Sequence, residues 1–266
     1  MTISSTRMDR APIRFQEAPD ALRPYVGCFW IITPKAGATI RVVPDGTTAI
    51  FAESQKNQHP QWFLRGPVLR PVERRFTVPM TLVGVRLRPG VAFMLSGIAA
   101  HSMMDRRIAL RQCTVFRELA SIDPPPRNPA QCIDALQRFL IHRLQHTSVH
   151  AVVAAALREI DREHGCLPVA HVAARCGVSA RHLDRLMRLW VGYGPKRYAS
   201  IVRFQSTLDQ MQQEPGRSVA FIAAETGFFD QAHLTVNIAR FAGATPGNLL
   251  SAGVSDFSKT RCDDLP

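Results

Sequence analysis

The rhythm of hydrophobic positions changes midway along the chain. Between Tyr25 and Leu87 apolar residues come in short runs, at 26–32, 40–43, 47–52, 61–64, 74–78 and 81–87. Turn-forming residues separate them: Pro34, Lys35-Ala36-Gly37, Pro44-Asp45-Gly46, Gly66-Pro67 and Pro79. Short runs bounded by such breakers predict strands, and their spacing predicts a sandwich or small barrel. In 83–88 the period of two puts Val83, Val85 and Leu87 on one face and Arg86 and Arg88 on the other. A solvated outer face is the expected setting of these two arginines. Turned inward, they would instead be candidates to bind an anionic effector inside the barrel. Pro89-Gly90 ends the run, and 92–95 and 114–120 read as short helices against the sheet.

Beyond Asp123-Pro124-Pro125-Pro126, the clearest break in the chain, the period becomes helical. Asn128-Pro129 supplies an N-cap and a first-turn proline, and Ile133, Leu136, Phe139, Leu140 and Leu144 form one apolar stripe. Thr147 or Ser148 is expected to cap the next helix, whose Val152, Val153, Ala156, Leu157 and Ile160 face inward before Gly165 stops it.

The stretch 169–250 overlays on itself. Ala173-x-x-x-Gly177 recurs fifty residues later as Ala223-x-x-x-Gly227. The offset then becomes fifty-one, pairing Leu183 with Leu234, Met187 with Ile238, Trp190 with Phe241, Gly192 with Gly243 and Pro195 with Pro246. A small Ala four residues before a Gly suits a helix-turn-helix, because it lets the second helix cross closely while the Gly takes a positive φ. Ser179 caps a second helix over 180–190, with Leu183, Leu186, Met187 and Trp190 on one face and Arg181, Arg185 and Arg188 on the other. Arginines on such a helix can pair with guanine in the major groove. A long helix from Pro195 through Gln213 joins the two units, Pro215-Gly216 closes it, and Ser218 caps the next. The second reading helix begins at Asp230 and buries Leu234, Ile238 and Phe241, but the offset maps the three arginines onto Ala232, Val236 and Ala239. Only Arg240, with Gln231 and Thr235 at the flank, keeps polar reach there.

Charge changes where one looks. The net is +12, yet residues 1–122 hold 17 Lys and Arg against 8 Asp and Glu, whereas 150–250 hold 11 against 8. The bulk excess therefore lies outside the duplicated unit and predicts weak, salt-sensitive polyanion binding by the N-terminal segment. Six cysteines without a C-x-x-C pair read as small hydrophobes rather than a zinc or disulfide framework. His142, His146 and His150 recur every four residues, but a helix break is expected between the last two, and they read as solvated side chains rather than metal ligands. No apolar run of about 18 residues is present, and the polar stretch 1–10 lacks a signal-peptide core. A cytoplasmic protein without membrane contact is the expectation.

The duplicated region resembles the C-terminal DNA-binding domain of AraC/XylS-type bacterial transcription regulators. The matching marks are Ala173-x-x-x-Gly177-Val178-Ser179-x-Arg181-x-Leu183-x-Arg185-Leu186, Gly192-x-x-Pro195-Lys196, Arg203-Phe204, Ile222-Ala223-x-x-x-Gly227-Phe228-x-Asp230-Gln231-x-His233 and Gly243-x-Thr245-Pro246. The N-terminal half is similar to the β-rich domain of one branch of that family, through Leu22-x-Pro24-Tyr25-Val26-x-x-Phe29-Trp30, Pro44-Asp45-Gly46, Gly66-Pro67 and Gly84-Val85-Arg86-x-Arg88-Pro89-Gly90. The resemblance implies two helix-turn-helix motifs joined by a long helix and set in successive major-groove segments. It implies an N-terminal domain that binds an effector, dimerises, or does both. The chain departs from the family's usual aromatic, Arg and Phe at Leu234, Val236 and Ile238, so the implied base contacts carry over to Arg181 and Arg185 and not to Val236.

The expected class is α+β: a β-rich effector-binding or dimerisation domain over 1–122, a Pro-rich linker and linking helix over 123–149, a DNA-binding domain over 150–250 and a polar tail over 251–266. Candidate DNA contacts are Ser179, Arg181, His182, Arg185 and Arg188, then Lys196, then Gln231, Thr235 and Arg240. Double-stranded DNA and RNA polymerase are the expected partners, with a small-molecule effector and a homodimer left open. No cofactor is expected. No G-x-S-x-G elbow, Walker loop, Rossmann fingerprint or H-E-x-x-H motif points to an enzyme, and the alkyl-transfer repair enzymes that share this DNA-binding region need a zinc-bound cysteine cluster. A regulator whose N-terminal domain serves protein contacts alone is the other reading.

Overall fold

The computed structural model describes residues 13–122, 125–145, 147–214 and 216–252. The segment 1–10, Asp123-Pro124, His146, Pro215, the tail beyond Ala252 and its Cys262 lie outside the described residues.

Eight strands carry the first half: β1 (Ile13–Gln16), β2 (Val26–Ile32), β3 (Thr39–Val42), β4 (Thr48–Ser54), β5 (Gln61–Arg65), β6 (Val72–Arg75), β7 (Thr81–Leu87) and β8 (Arg107–Ala109). Six form an antiparallel sheet in the order β1-β2-β7-β4-β5-β8, and β3 pairs with β6 in a separate two-stranded ribbon. The sequence pattern did not reveal the short strands β1 and β8, which close the sheet at its two edges. β6 starts and ends earlier than the expected 74–78, because its partner β3 stops at Thr39, opposite Arg75, and leaves Val78 exposed.

Alternation along the strands sorts the large sheet into two faces. Phe29, Ile50, Leu64, Val83 and Val85 build one core with α1 (Val91–Ser96), α2 (Arg117–Ala120) and α3 (Pro129–Leu144). The α3 stripe expected from its 3.6 period is buried in that core, and α3 contacts β7 directly. Asn128 caps it by accepting a hydrogen bond from the Gln131 N–H. The opposite sheet face carries Cys28, Trp30, Ile32, Phe51 and Leu82, packed with Phe76.

The second half is helical: α4 (Ala151–Arg162), α5 (Val169–Arg175), α6 (Ala180–Val191), α7 (Pro195–Gln213), α8 (Val219–Glu225), α9 (Gln231–Ala242) and α10 (Pro246–Ala252). Neither Thr147 nor Ser148 caps α4: its N-cap is His150, without a side-chain bond. The Thr147 hydroxyl instead donates to the Leu144 carbonyl and closes the end of α3. The long helix α7 is buried along Tyr198, Ile201, Phe204, Leu208 and Met211, and Phe204 stacks on Phe241 with centroids 5.2 Å apart. Among the described residues no helix is long and apolar enough to cross a membrane.

Candidate nucleic-acid interface and an internal cavity

The two halves of the duplication fold alike. Ala173 and Ala223 are buried at the helix crossings, and Gly177 and Gly227 take φ of +67° and +72° in the turns that follow. The positive angle lets the chain reverse without a strained Cβ. Ser179 then caps α6 by accepting from His182 N–H, and Asp230 caps α9 by accepting from His233 N–H. Arg203 on α7 joins the units, donating to the Gly165 carbonyl at 2.7 Å and to the Gly227 carbonyl at 3.2 Å.

Leu183, Leu186 and Met187 are buried beneath α6, while Arg181, Arg185 and Arg188 are exposed on its outer side. Arg188 is tethered to Asp184 at 2.6 Å, and Arg185 lies 3.2 Å from the His182 ring. The bond to Asp184 holds the Arg188 guanidinium above its usual range. Lys196 is exposed on the first turn of α7. Trp190 is not a core residue like its repeat partner Phe241. It is half-buried and packs edge-on against Phe93 of α1, with centroids 4.7 Å apart, so it joins the two domains.

On α9 the buried residues are Leu234, Ile238 and Phe241, and the outward side carries Gln231, Ala232, Val236, Ala239 and Arg240. Thr235 is half-buried, its hydroxyl bonded back to the Gln231 carbonyl. Phe229, in the turn before the Asp230 cap, is 92% exposed and Val236 is 66% exposed. Two features of this surface escaped the sequence reading: Phe229, and the polar Asn237 that replaces the buried Leu186 in the repeat.

A second candidate site lies between the sheets of the first domain, a cavity of about 70 Å³. The strand register explains its lining. Arg86, Ala49, Arg65 and Arg107 occupy one row across β7, β4, β5 and β8, and Trp30, Gly84, Phe51 and Phe63 occupy the next; of these Arg86, Ala49, Arg65, Trp30 and Phe51 line the cavity. Gly84 is required there, since a Cβ would stand 2.3 Å from the Trp30 ring. Ile40, Val42, Val72 and Arg74 of the ribbon, with Phe76, close the other side.

Arg86 and Arg88 are thus not on a solvated outer face; they are 4% and 7% exposed. Arg86 lines the cavity and pairs with Asp45 at 3.5 Å, whereas Arg88 donates from Nε to the Arg23 carbonyl and does not line it. Arg74 and Arg107 both pair with Glu53. Arg65, missed because its strand was ended one residue too early, is the remaining arginine. Burial lowers its pKa most, the neighbouring Arg107 and Arg74 lower it further, and Asp45 and Glu53 offset part of this.

The cavity wall also touches the helical domain. Val43 belongs to the helical core, and Gln205 of α7 donates from its amide to the Pro44 carbonyl at 2.6 Å. Tyr193 donates to the Val68 carbonyl at 2.5 Å and Arg197 to the Leu69 carbonyl at 2.7 Å. Asp45, Thr47 and Val68 line the cavity from these same segments.

Comparison with known proteins agrees with this architecture. Residues 172–252 match a family described as a helix-turn-helix domain, and residues 15–109 match a domain family of unknown function, DUF6597. The HTH-type transcriptional regulator GlxA of Rhizobium meliloti is 32% identical over 188 residues, 69% of this chain and 53% of GlxA. The chain is of the AraC/XylS type. It spans about half the length of this curated relative. Among solved structures, ToxT from Vibrio cholerae is similar to this AraC/XylS-type chain with a TM-score of 0.47 at 8% identity, covering 84% of this chain and 97% of ToxT. An apo ToxT variant gives 0.44 at 12% identity, covering 89% and 99%.

Proposed function

We propose that this chain is a sequence-specific DNA-binding regulator of transcription, in which α6 does most of the base reading and the N-terminal cavity holds a small-molecule effector. The observation that carries the reading is the outward face of α6. Arg181, Arg185 and Arg188 stand exposed on the second helix of a capped helix-turn-helix, where side chains reach base edges. The α9 unit repeats the scaffold with Ala232, Val236 and Ala239 in the arginine positions, so it holds DNA through backbone contacts and thymine methyl groups. Ser179, His182, Lys196, Gln231, Thr235 and Arg240 complete the contact set.

Effector occupancy reaches DNA through Asp45, Thr47 and Val68, which line the cavity beside segments bonded to α7 and to the turn after α6. RNA polymerase is the further partner this activity requires, and an intracellular location goes with it. The test is selection of DNA from a random pool by the purified chain. A bipartite site with half-site centres about 10 bp apart is expected. No enrichment above the input pool would sink the reading.

A further inference from the structure

Resting on the reading that the cavity holds an effector, we propose that its ligand is a small organic monoanion, a compact flat apolar body bearing one carboxylate, anchored by Arg65. Three arginines line this space, Arg65, Arg74 and Arg86, against one carboxylate, Asp45, while Glu53 and Arg107 pair with each other outside the lining. Both carboxylates are taken: Asp45 faces Arg86, and Glu53 is shared by Arg74 and Arg107. The Arg65 guanidinium makes no hydrogen bond or ion pair among the described residues and faces the Phe51 ring, 5.7 Å from its centroid. A half-buried guanidinium beside Arg107 and Arg74, with Asp45 and Glu53 offsetting them only in part because both are held by other arginines, is stabilised when an anion enters.

The rest of the lining sets the body of the ligand. Trp30 and Phe51, with centroids 6.1 Å apart, and Phe76 present ring surface, while Ile32, Ile40 and Leu82 fill between them. The volume corresponds to about five to seven waters at roughly 10–15 Å³ each, room for a ligand no larger than a single ring with a short acidic arm. Ala49 lies directly across from Arg65 in the strand register, so its small side chain leaves the space beside the guanidinium open. A multiply charged sugar phosphate does not suit this lining, which offers one uncommitted cation among apolar walls.

The test is thermal unfolding of the full chain with 10 mM phenylacetate, the neutral phenylacetamide, or acetate. Phenylacetate is expected to raise Tm by about 3 °C, and the other two by far less. Arg65→Met should abolish the phenylacetate shift while leaving the ligand-free Tm unchanged or higher. Arg75→Ala, an exposed arginine at the end of β6, should keep the shift. Ala49→Val, which narrows the space without removing charge, should weaken binding at least several-fold. Equal shifts from phenylacetate and phenylacetamide, a shift that survives Arg65→Met, an equal shift from acetate, or no shift with phenylacetate would each overturn the proposal. DNA selection with the same preparation keeps the two readings apart: selected DNA without a phenylacetate shift defeats the ligand assignment alone, and a shift without selected DNA defeats the regulator.

Discussion

Gly46 lies against the ring of Tyr198, so close that a Cβ at position 46 would stand 2.7 Å from Tyr198 Cε2. One residue of a cavity-lining loop is thereby seated on the helix that joins the two DNA-reading units. Its φ of +80° adds a second reason for glycine. Gly46→Ala should therefore destabilise the chain by about 1–3 kcal/mol, read by urea unfolding. It should also uncouple the domains, so that ligand no longer changes DNA affinity. Unaltered stability would show that the contact between Gly46 and Tyr198 is not a close one in solution.

Arg185 and Arg181 are exposed, and removing either disturbs no core. Arg185→Ala should weaken binding to the selected DNA by about 1–3 kcal/mol and relax preference at one base pair, with an unchanged Tm. Titration against a set of single-base variants of the site reads both effects. An unchanged preference profile would remove Arg185 from base recognition.

Val236 occupies an arginine position of the repeat and is largely exposed. Val236→Arg should add a contact that the second unit now lacks. The expected result is tighter binding and a steeper dependence of log K on log salt, by about one unit of slope if the new charge meets a phosphate. Affinity and slope that both stay at the parent values would mean that α9 stands away from DNA.

Tyr193 and Cys132 predict the alkaline limit of stability. Burial raises the Tyr193 phenol well above its usual value, with Asp45 and Asp105 adding to the effect, and burial pushes the Cys132 thiol up to about 11. Both protonated forms are favoured in the folded chain. Their contribution is complete below the unfolded pKa values, near 8.5 and 10, and is lost as pH rises through the folded ones. Tm should hold to about pH 8 and fall from about pH 9 upward. Tyr193→Phe and Cys132→Ala should each flatten part of that fall, and a parent-like fall in the double variant would assign it to other groups.

Much of this was legible along the chain. The Ala-x-x-x-Gly repeat placed both turns, because a tight helix crossing and a positive φ restrict the residue at one position each, and Ser179 and Asp230 cap the helices that the pattern assigned to them. The stripe on α3 read correctly as a helix face, but one residue string does not say what covers it, and its cover is the sheet. The placement of the N-terminal arginines was not legible for the same reason. Arg65, Arg74 and Arg86 are drawn to the cavity by strand register and closure of the ribbon, which are non-local. An arginine alternating with valines looks solvated when only its own strand is known. The polyanion binding expected of this segment therefore draws on fewer surface charges than the composition suggested.

On the proposed reading, two copies of one fold divide the labour unequally, with α6 reading bases and α9 mainly holding DNA. A base-substitution scan across the selected site measures it most directly. The expected penalties are about 1–3 kcal/mol per base pair, concentrated in the half-site lost with Arg185→Ala and small in the other half. Equal penalties in both halves would contradict that reading.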